Sequence, residues 1–169
     1  MIILFLILLA GLIWFLAQRV SRATGLPTGR VVYTDTGGWG RLERPLFSRR
    51  LQLTGKPDYL VRVGQGYVPV EVKSGHAPAK GAYDSHIYQL AAYCALVAEA
   101  YGRRPAYGLI QYADKTLAVD YTPALEADLL ELLADIRADS EEAEVSRSHN
   151  SRARCQACGF WEVCDERLE

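Results

Sequence analysis

The sequence has almost no net charge: 19 Lys and Arg against 20 Asp and Glu leave −1 at pH 7. A chain so balanced is no electrostatic magnet for nucleic acid as a whole. Its local arginines (Arg41 and Arg44, Arg49 and Arg50, Arg103 and Arg104, then Arg147, Arg152 and Arg154) read as solvated surface as readily as phosphate contacts. Internal repeats and low-complexity tracts are missing, which excludes a solenoid. Length is short too: 169 residues give room for one domain with its own core, and not comfortably for two. Charge is missing altogether from Met1 to Ala17. A helix of that length reaches about 25 Å, close to the hydrocarbon thickness of a bilayer. The segment also lacks the basic start and small-x-small cleavage site of a signal peptide. Arg19 and Arg22 follow it, so the positive-inside rule places the body in the cytoplasm, where cysteines stay reduced. The expectation is a single-pass membrane anchor over residues 1–18, with a cleaved signal sequence as the alternative, and a linker over 19–29.

What is present is a pair of strand-like runs. Gly55-Lys56-Pro57-Asp58-Tyr59-Leu60-Val61-Arg62-Val63 mixes β-branched and aromatic residues, Gly64-Gln65-Gly66 turns the chain, and Tyr67-Val68-Pro69-Val70-Glu71-Val72-Lys73 alternates again. A period of two sends Val68, Val70 and Val72 to one face and Glu71 with Lys73 to the other. The hairpin brings Asp58 alongside Glu71. Two carboxylates held close repel, unless a divalent cation neutralises them. Oxygen ligands suit Mg²⁺ or Mn²⁺, which keep waters in the remaining positions and activate one of them towards a phosphodiester. Lys73 is placed to orient that water or to stabilise developing negative charge. The plain alternative is a hairpin with an exposed Asp and a cross-strand Glu–Lys pair.

Downstream, Tyr83 to Tyr101 reads as a helix with Asp84 or Ser85 as N-cap and a buried stripe of Ile87, Leu90, Ala91, Cys94, Val97, Ala98 and Tyr101. Gln89 and Tyr93, four apart, neighbour each other on a different edge. Upstream, Arg30 to Asp35 and Pro45 to Leu53 read as strands. Ala106 to Ala113 and Thr116 to Tyr121 form a hairpin turning at Asp114-Lys115. Thr122 caps a helix opened by Pro123, with Leu125, Leu129, Leu132, Leu133 and Ile136 as its apolar face. The segment Ser74 to Gly81 is a loop over the site.

Taken in order, Gly-Lys-Pro-Asp at 55–58, Glu-Val-Lys-Ser-Gly at 71–75 and Gln-Leu-Ala-Ala-Tyr at 89–93 resemble the PD-(D/E)XK nuclease superfamily, and within it RecB-type nuclease domains. The chain is most similar there to the CRISPR-associated adaptation exonucleases, over roughly residues 43–164. The resemblance implies an α/β, restriction-endonuclease-like sandwich with a central mixed sheet. It implies DNA as substrate, single-stranded or with overhangs, cut with Mg²⁺ or Mn²⁺. Asp58, Glu71 and the Val72 carbonyl become metal ligands, with Glu43 matching an upstream acidic residue of the family. Gln89 then steadies a ligand or water, and Tyr93 touches substrate phosphate.

Cys155, Cys158 and Cys164 close the chain in a C-x2-C-x5-C pattern, three thiols that argue for a metal or cluster more than for disulfides. In the similar exonucleases this pattern supplies three ligands of a [4Fe–4S] cluster and an upstream cysteine supplies the fourth. Here no cysteine precedes Cys94, and Cys94 lies on an apolar stripe. The tail therefore reads as a cluster with a non-cysteine fourth ligand, a Zn²⁺ site with His149 as fourth ligand, or a vestige. The family's histidine ahead of the Asp motif is also missing, since His76, His86 and His149 all follow Asp58. The expected division is an anchor at 1–18, a linker at 19–29, a nuclease-like domain at 30–145 and a cysteine-rich tail at 146–169. The expected function is a membrane-anchored deoxyribonuclease. Its rivals are a catalytically weak DNA-binding scaffold of the same fold and an iron–sulfur or zinc sensor.

Overall fold

The computed structural model describes residues 30–31, 39–40 and 42–169. The apolar segment Met1 to Ala17 lies outside the described residues, as does most of the expected strand from Arg30 to Asp35. Among the described residues, no helix is long and apolar enough to cross a membrane. The chain divides into two compact units, Met1–Leu130 and Glu131–Glu169.

In the first unit the strands are β1 (Arg30–Val31), β2 (Trp39–Gly40), β3 (Leu46–Ser48), β4 (Leu53–Gly55), β5 (Tyr59–Val63), β6 (Gly66–Val72), β7 (Tyr107–Gln111) and β8 (Thr116–Asp120), with helix α1 (Asp84–Tyr101) between β6 and β7. A six-stranded sheet runs β1-β8-β7-β6-β5-β2, and β3-β4 form a separate small sheet. All neighbours in the large sheet are antiparallel except β6 and β7, which run parallel, Val70 pairing with Leu109 and Val72 with Gln111. Parallel neighbours need a crossover, and α1 provides it. The result is an α/β fold with a mixed sheet.

Alternation decides which side chains face the helix. Leu60 clusters with Leu46, Leu96 and Val97, joined by Tyr67 and Tyr93, whereas Val68 and Val70 cluster with Leu109 and Ala118. The stripe expected on α1 is buried at Ile87, Leu90, Ala91, Cys94 and Val97, and Ala95 and Leu96 widen it, but Ala98 is half-buried and Tyr101 exposed. Two glycines set how closely the layers approach. A Cβ on Gly108 in β7 would meet Leu90 Cγ at 2.6 Å, and one on Gly55 in β4 would meet Tyr93 Cε1 at 2.9 Å. Neither position has room for a side chain, so α1 lies directly on backbone there.

Three further sequence expectations change. The strand expected over Pro45 to Leu53 is instead a hairpin, because Ser48 Oγ accepts from Leu51 N at 2.9 Å and Gln52 turns through a left-handed φ of 44°. A hydroxyl that offers the backbone a local partner competes with the ladder. The N-cap of α1 is Tyr83, which makes no side-chain cap bond, while Asp84 sits in the first turn. Helix α2 (Pro123–Glu141) is capped as expected, Leu125 N donating to Thr122 Oγ1 at 3.1 Å, but only Leu125 and Leu129 of its apolar face are buried. The part of α2 beyond Leu130 belongs to the second unit, where Leu132 and Ile136 remain 36% and 52% exposed.

The second unit continues into a short helix α3 (Arg152–Gln156) and a 3-10 turn at Trp161–Val163. Ser151 caps α3, its hydroxyl accepting from Arg154 N at 3.3 Å.

Candidate active site

The β5–β6 hairpin pairs Tyr59 with Val70, so the next step of the ladder sets Asp58 opposite Glu71 on one face of the sheet. Asp58 is exposed and its Oδ2 accepts from Val72 N at 2.8 Å, which leaves Oδ1 outside that bond. Glu71 is 7% exposed. A carboxylate buried this far requires compensation. Lys73 Nζ provides it at 2.9 Å, and Gln89 Nε2 donates to the same oxygen, Oε1, at 2.9 Å. Both bonds fall on Oε1, so Glu71 Oε2 is not engaged by either.

Gln89 is the hub of the cluster. Its Oε1 accepts from Lys73 Nζ at 2.8 Å, and its Nε2 also donates to the Tyr93 hydroxyl at 2.9 Å. The helix spacing of four places the amide and phenol together, and α1, lying against β6, sets both over Glu71. Lys73 is fixed at its backbone as well, its N–H donating to Gln111 O at 2.8 Å in continuation of the β6–β7 ladder. Burial pushes the Tyr93 phenol above its usual range; the Gln89 bond opposes that rise and the charges of Glu71 and Asp58 add to it. At neutral pH Tyr93 is therefore a neutral hydrogen-bonding group facing two carboxylates.

Glu43 stands apart from this cluster. It is exposed, and its backbone carbonyl, rather than its carboxylate, accepts from Lys56 Nζ at 3.4 Å. A cavity of about 300 Å³ lined by Leu42, Lys56, Pro57 and Asp58 opens on that side of Asp58.

Two neighbours of the cluster are not evident from the sequence. His86 lies one turn before Gln89 on α1, and its Nδ1 is 2.7 Å from the Tyr112 hydroxyl. Partial burial, with the nearby Lys73 ammonium second, holds the His86 imidazole below its usual range. The spacing of three from Gln89 is the one signal the sequence offers, since Tyr112 reaches His86 only through the crossover.

Chemically, the cluster offers hard oxygen donors. Carboxylates from two adjacent strands with the intervening Val72 peptide suit Mg²⁺ or Mn²⁺, ions commonly held by one or two carboxylates and otherwise by water. Among the described residues, no group of three His, Cys, Asp or Glu is arranged to hold a metal ion. Asp58 and Glu71 are two carboxylates facing each other, a donor pair of the kind Mg²⁺ accepts because it keeps water in its remaining positions.

The cysteine tail makes a different arrangement. Cys155 is buried, Cys158 exposed and Cys164 half-buried, and all are free thiols. They line one cavity of about 240 Å³ together with His149, Trp161, Arg147 and Arg167. Leu168 N donates to Cys155 Sγ at 3.5 Å and Phe160 N to Cys158 Sγ at 3.4 Å. His149 Nδ1 accepts from Ser151 N at 3.2 Å. As arranged, these residues share a cavity but do not form a ligand set. Cys94 is core: it is buried in α1, and burial pushes its thiol far up.

A comparison with curated proteins returns no match. The family model for the PD-(D/E)XK nuclease superfamily matches residues 7–165, a span that takes in both carboxylates, Lys73, Gln89 and Tyr93. With that match and this geometry together, the chain belongs to the PD-(D/E)XK nuclease superfamily.

Proposed function

We propose that the chain is a metal-dependent deoxyribonuclease of RecB type, acting on single-stranded or overhanging DNA. Members of the superfamily are typically metal-dependent nucleases, and the observation that supports the reading here is the bonded set Lys73–Glu71–Gln89–Tyr93 facing Asp58 across the hairpin. Asp58, Glu71 and the Val72 carbonyl would hold Mg²⁺ or Mn²⁺, which supplies water activation and charge neutralisation at the phosphate. Lys73 presents its ammonium where negative charge develops and holds the attacking water in line. Gln89 keeps Glu71 and Lys73 in register by bonding both. Tyr93, a neutral phenol at neutral pH, donates to a phosphate oxygen of the strand. Lys73→Ala is the test: cleavage of a labelled single-stranded oligonucleotide in Mn²⁺ falls to background while circular dichroism is unchanged. Undiminished cleavage by that variant overturns the assignment.

For the tail we propose a sulfur-bound metal, formed by drawing Cys155, Cys158 and Cys164 in around the cavity they share. Two backbone N–H groups already donate to sulfur there, Phe160 N to Cys158 and Leu168 N to Cys155, the kind of supporting bond that orients a ligand. Metal analysis of anaerobically purified protein distinguishes iron with sulfide from zinc, and a metal-free sample disposes of both. Anchoring through Met1 to Ala17 is a separate proposal, resting on its charge-free composition. Recovery of the full chain in the high-salt-washable fraction, rather than in the detergent-extracted membrane fraction, would refute it.

A further inference from the structure

The start of α1 carries a residue that the helix itself does not favour. N-cap positions suit Ser, Thr, Asp or Asn, whose side-chain oxygen accepts from a first-turn N–H. Tyr83 stands there instead, makes no side-chain cap bond, and keeps 53% of its surface exposed. Its carbonyl serves the helix, accepting from His86 N at 2.9 Å and Ile87 N at 3.0 Å, but its ring contributes nothing to capping. A capping preference set aside at a helix end is an expected mark of a functional position.

The ring is nonetheless held in place. Tyr83 meets His86 edge to face, with centroids 5.3 Å apart and planes at 81°. His86 in turn tilts against Tyr112 at 5.7 Å, its Nδ1 2.7 Å from the Tyr112 hydroxyl. Tyr112 is buried, and its N–H donates to Lys115 O at 2.9 Å in the β7–β8 turn. That turn also grips the loop after Lys73: Ala113 N donates to Gly75 O at 3.0 Å, and Ala77 N to Asp114 Oδ1 at 2.8 Å. A buried phenol therefore backs a half-buried imidazole, which backs an exposed phenol. The three rings stand on the same framework that fixes Lys73. His86 is one helical turn from Gln89, on the face that reaches Lys73. Both burial and the Lys73 charge favour a neutral imidazole, so the stack carries no charge of its own with which to grip a phosphate.

We infer that Tyr83, backed by His86 and Tyr112, is a stacking ledge for an unpaired nucleobase of the strand whose phosphate lies at Asp58 and Glu71. An uncharged aromatic face beside a phosphate-handling centre suits a base, because every base offers a π-face and none needs a hydrogen-bond code to use it. The inference rests on the nuclease reading and adds to it the subsite that holds the base next to the scissile phosphate. A paired base in a blunt duplex has no free face for the ledge, so the subsite favours unpaired ends.

The test uses the full chain carrying Asp58→Asn, which prevents turnover, and a single-stranded oligonucleotide containing 2-aminopurine, whose fluorescence falls on stacking. Adding Tyr83→Ala weakens binding about tenfold and removes the fluorescence change, in line with the loss of one base–aromatic stack. Tyr83→Trp, with a larger face, restores the quench. Blunt duplex binding is the same for the Asp58→Asn parent and its Tyr83→Ala derivative. If Tyr83→Ala binds and quenches like its parent, the ledge is refuted while the nuclease reading stands. If the unsubstituted chain neither binds nor cuts any strand, both readings fall together.

Discussion

Replacing Gly108 by alanine adds a single methyl group where Leu90 presents three carbons at 2.6, 2.7 and 2.8 Å. Carbon pairs rest at about 3.5–4.0 Å, so the helix or the leucine must retreat by roughly 1 Å. Leu90 is 1% exposed, so it cannot swing out into solvent and any retreat pushes against the core. Overpacking of this kind costs about 1–3 kcal/mol. A smaller effect works the other way, since alanine narrows the unfolded ensemble and stabilises by about 0.4–1 kcal/mol where the backbone tolerates it. Gly108 is not among the positive-φ glycines, so that gain applies here. Taking the midpoints, about 2 against about 0.7, overpacking wins, and Gly108→Ala should be destabilised by about 1.3 kcal/mol. Leu90→Ala alone should cost about 2–5 kcal/mol as a cavity. The double variant should cost less than the sum by at least about 1 kcal/mol, because the new methyl enters the space the leucine vacates. Urea unfolding followed by circular dichroism gives all four corners of the cycle. A neutral or stabilised Gly108→Ala, or strict additivity, would show that α1 does not rest on β7 as described.

Gln89→Leu removes the donor to Glu71 Oε1 and the acceptor for Lys73. Cleavage should fall about 10–100-fold and the Mn²⁺ concentration for half-maximal rate should rise, as expected when a partner of a metal ligand is lost. An unchanged metal requirement would remove Gln89 from its holding role. His86 titrates below the ordinary histidine value because of burial and Lys73. The unfolded chain therefore takes up a proton near pH 6.5 that the folded chain accepts only at lower pH, and stability declines as pH falls below about 6.5. Melting temperatures measured between pH 7.5 and 5.5 should drop more steeply for wild type than for His86→Gln. Parallel curves would refute that assignment.

Much of the site is legible in the sequence because its geometry is local. Asp58 and Glu71 meet through a hairpin whose turn and alternation are visible in the residues, and Gln89 meets Tyr93 through one helical turn. The β3–β4 hairpin is not, because its reversal depends on the Ser48 hydroxyl and a left-handed Gln52, neither of which interrupts the apolar pattern of Pro45 to Leu53. The His86–Tyr112 contact is hidden for a different reason: it joins α1 to the end of β7, and only the parallel pairing brings those together. The apolar face read along α2 is longer than the buried one. An amphipathic stripe records what can be buried, and burial past Leu129 needs a second apolar surface, without which Leu132 and Ile136 stay exposed.

The parallel β6–β7 pairing also makes the proposed catalytic cluster divisible. Both acids and Lys73 lie on a contiguous stretch that closes as a hairpin, whereas the amide and phenol that steady them arrive on the crossover helix. A backbone nick anywhere between Ser74 and Tyr83 would cut the cluster into a fragment bearing the acids and a fragment bearing their supports. Two such inert peptides, mixed together, would be expected to regain cleavage only as fast as they reassociate, which turns assembly of the centre into a concentration-dependent event that can be timed.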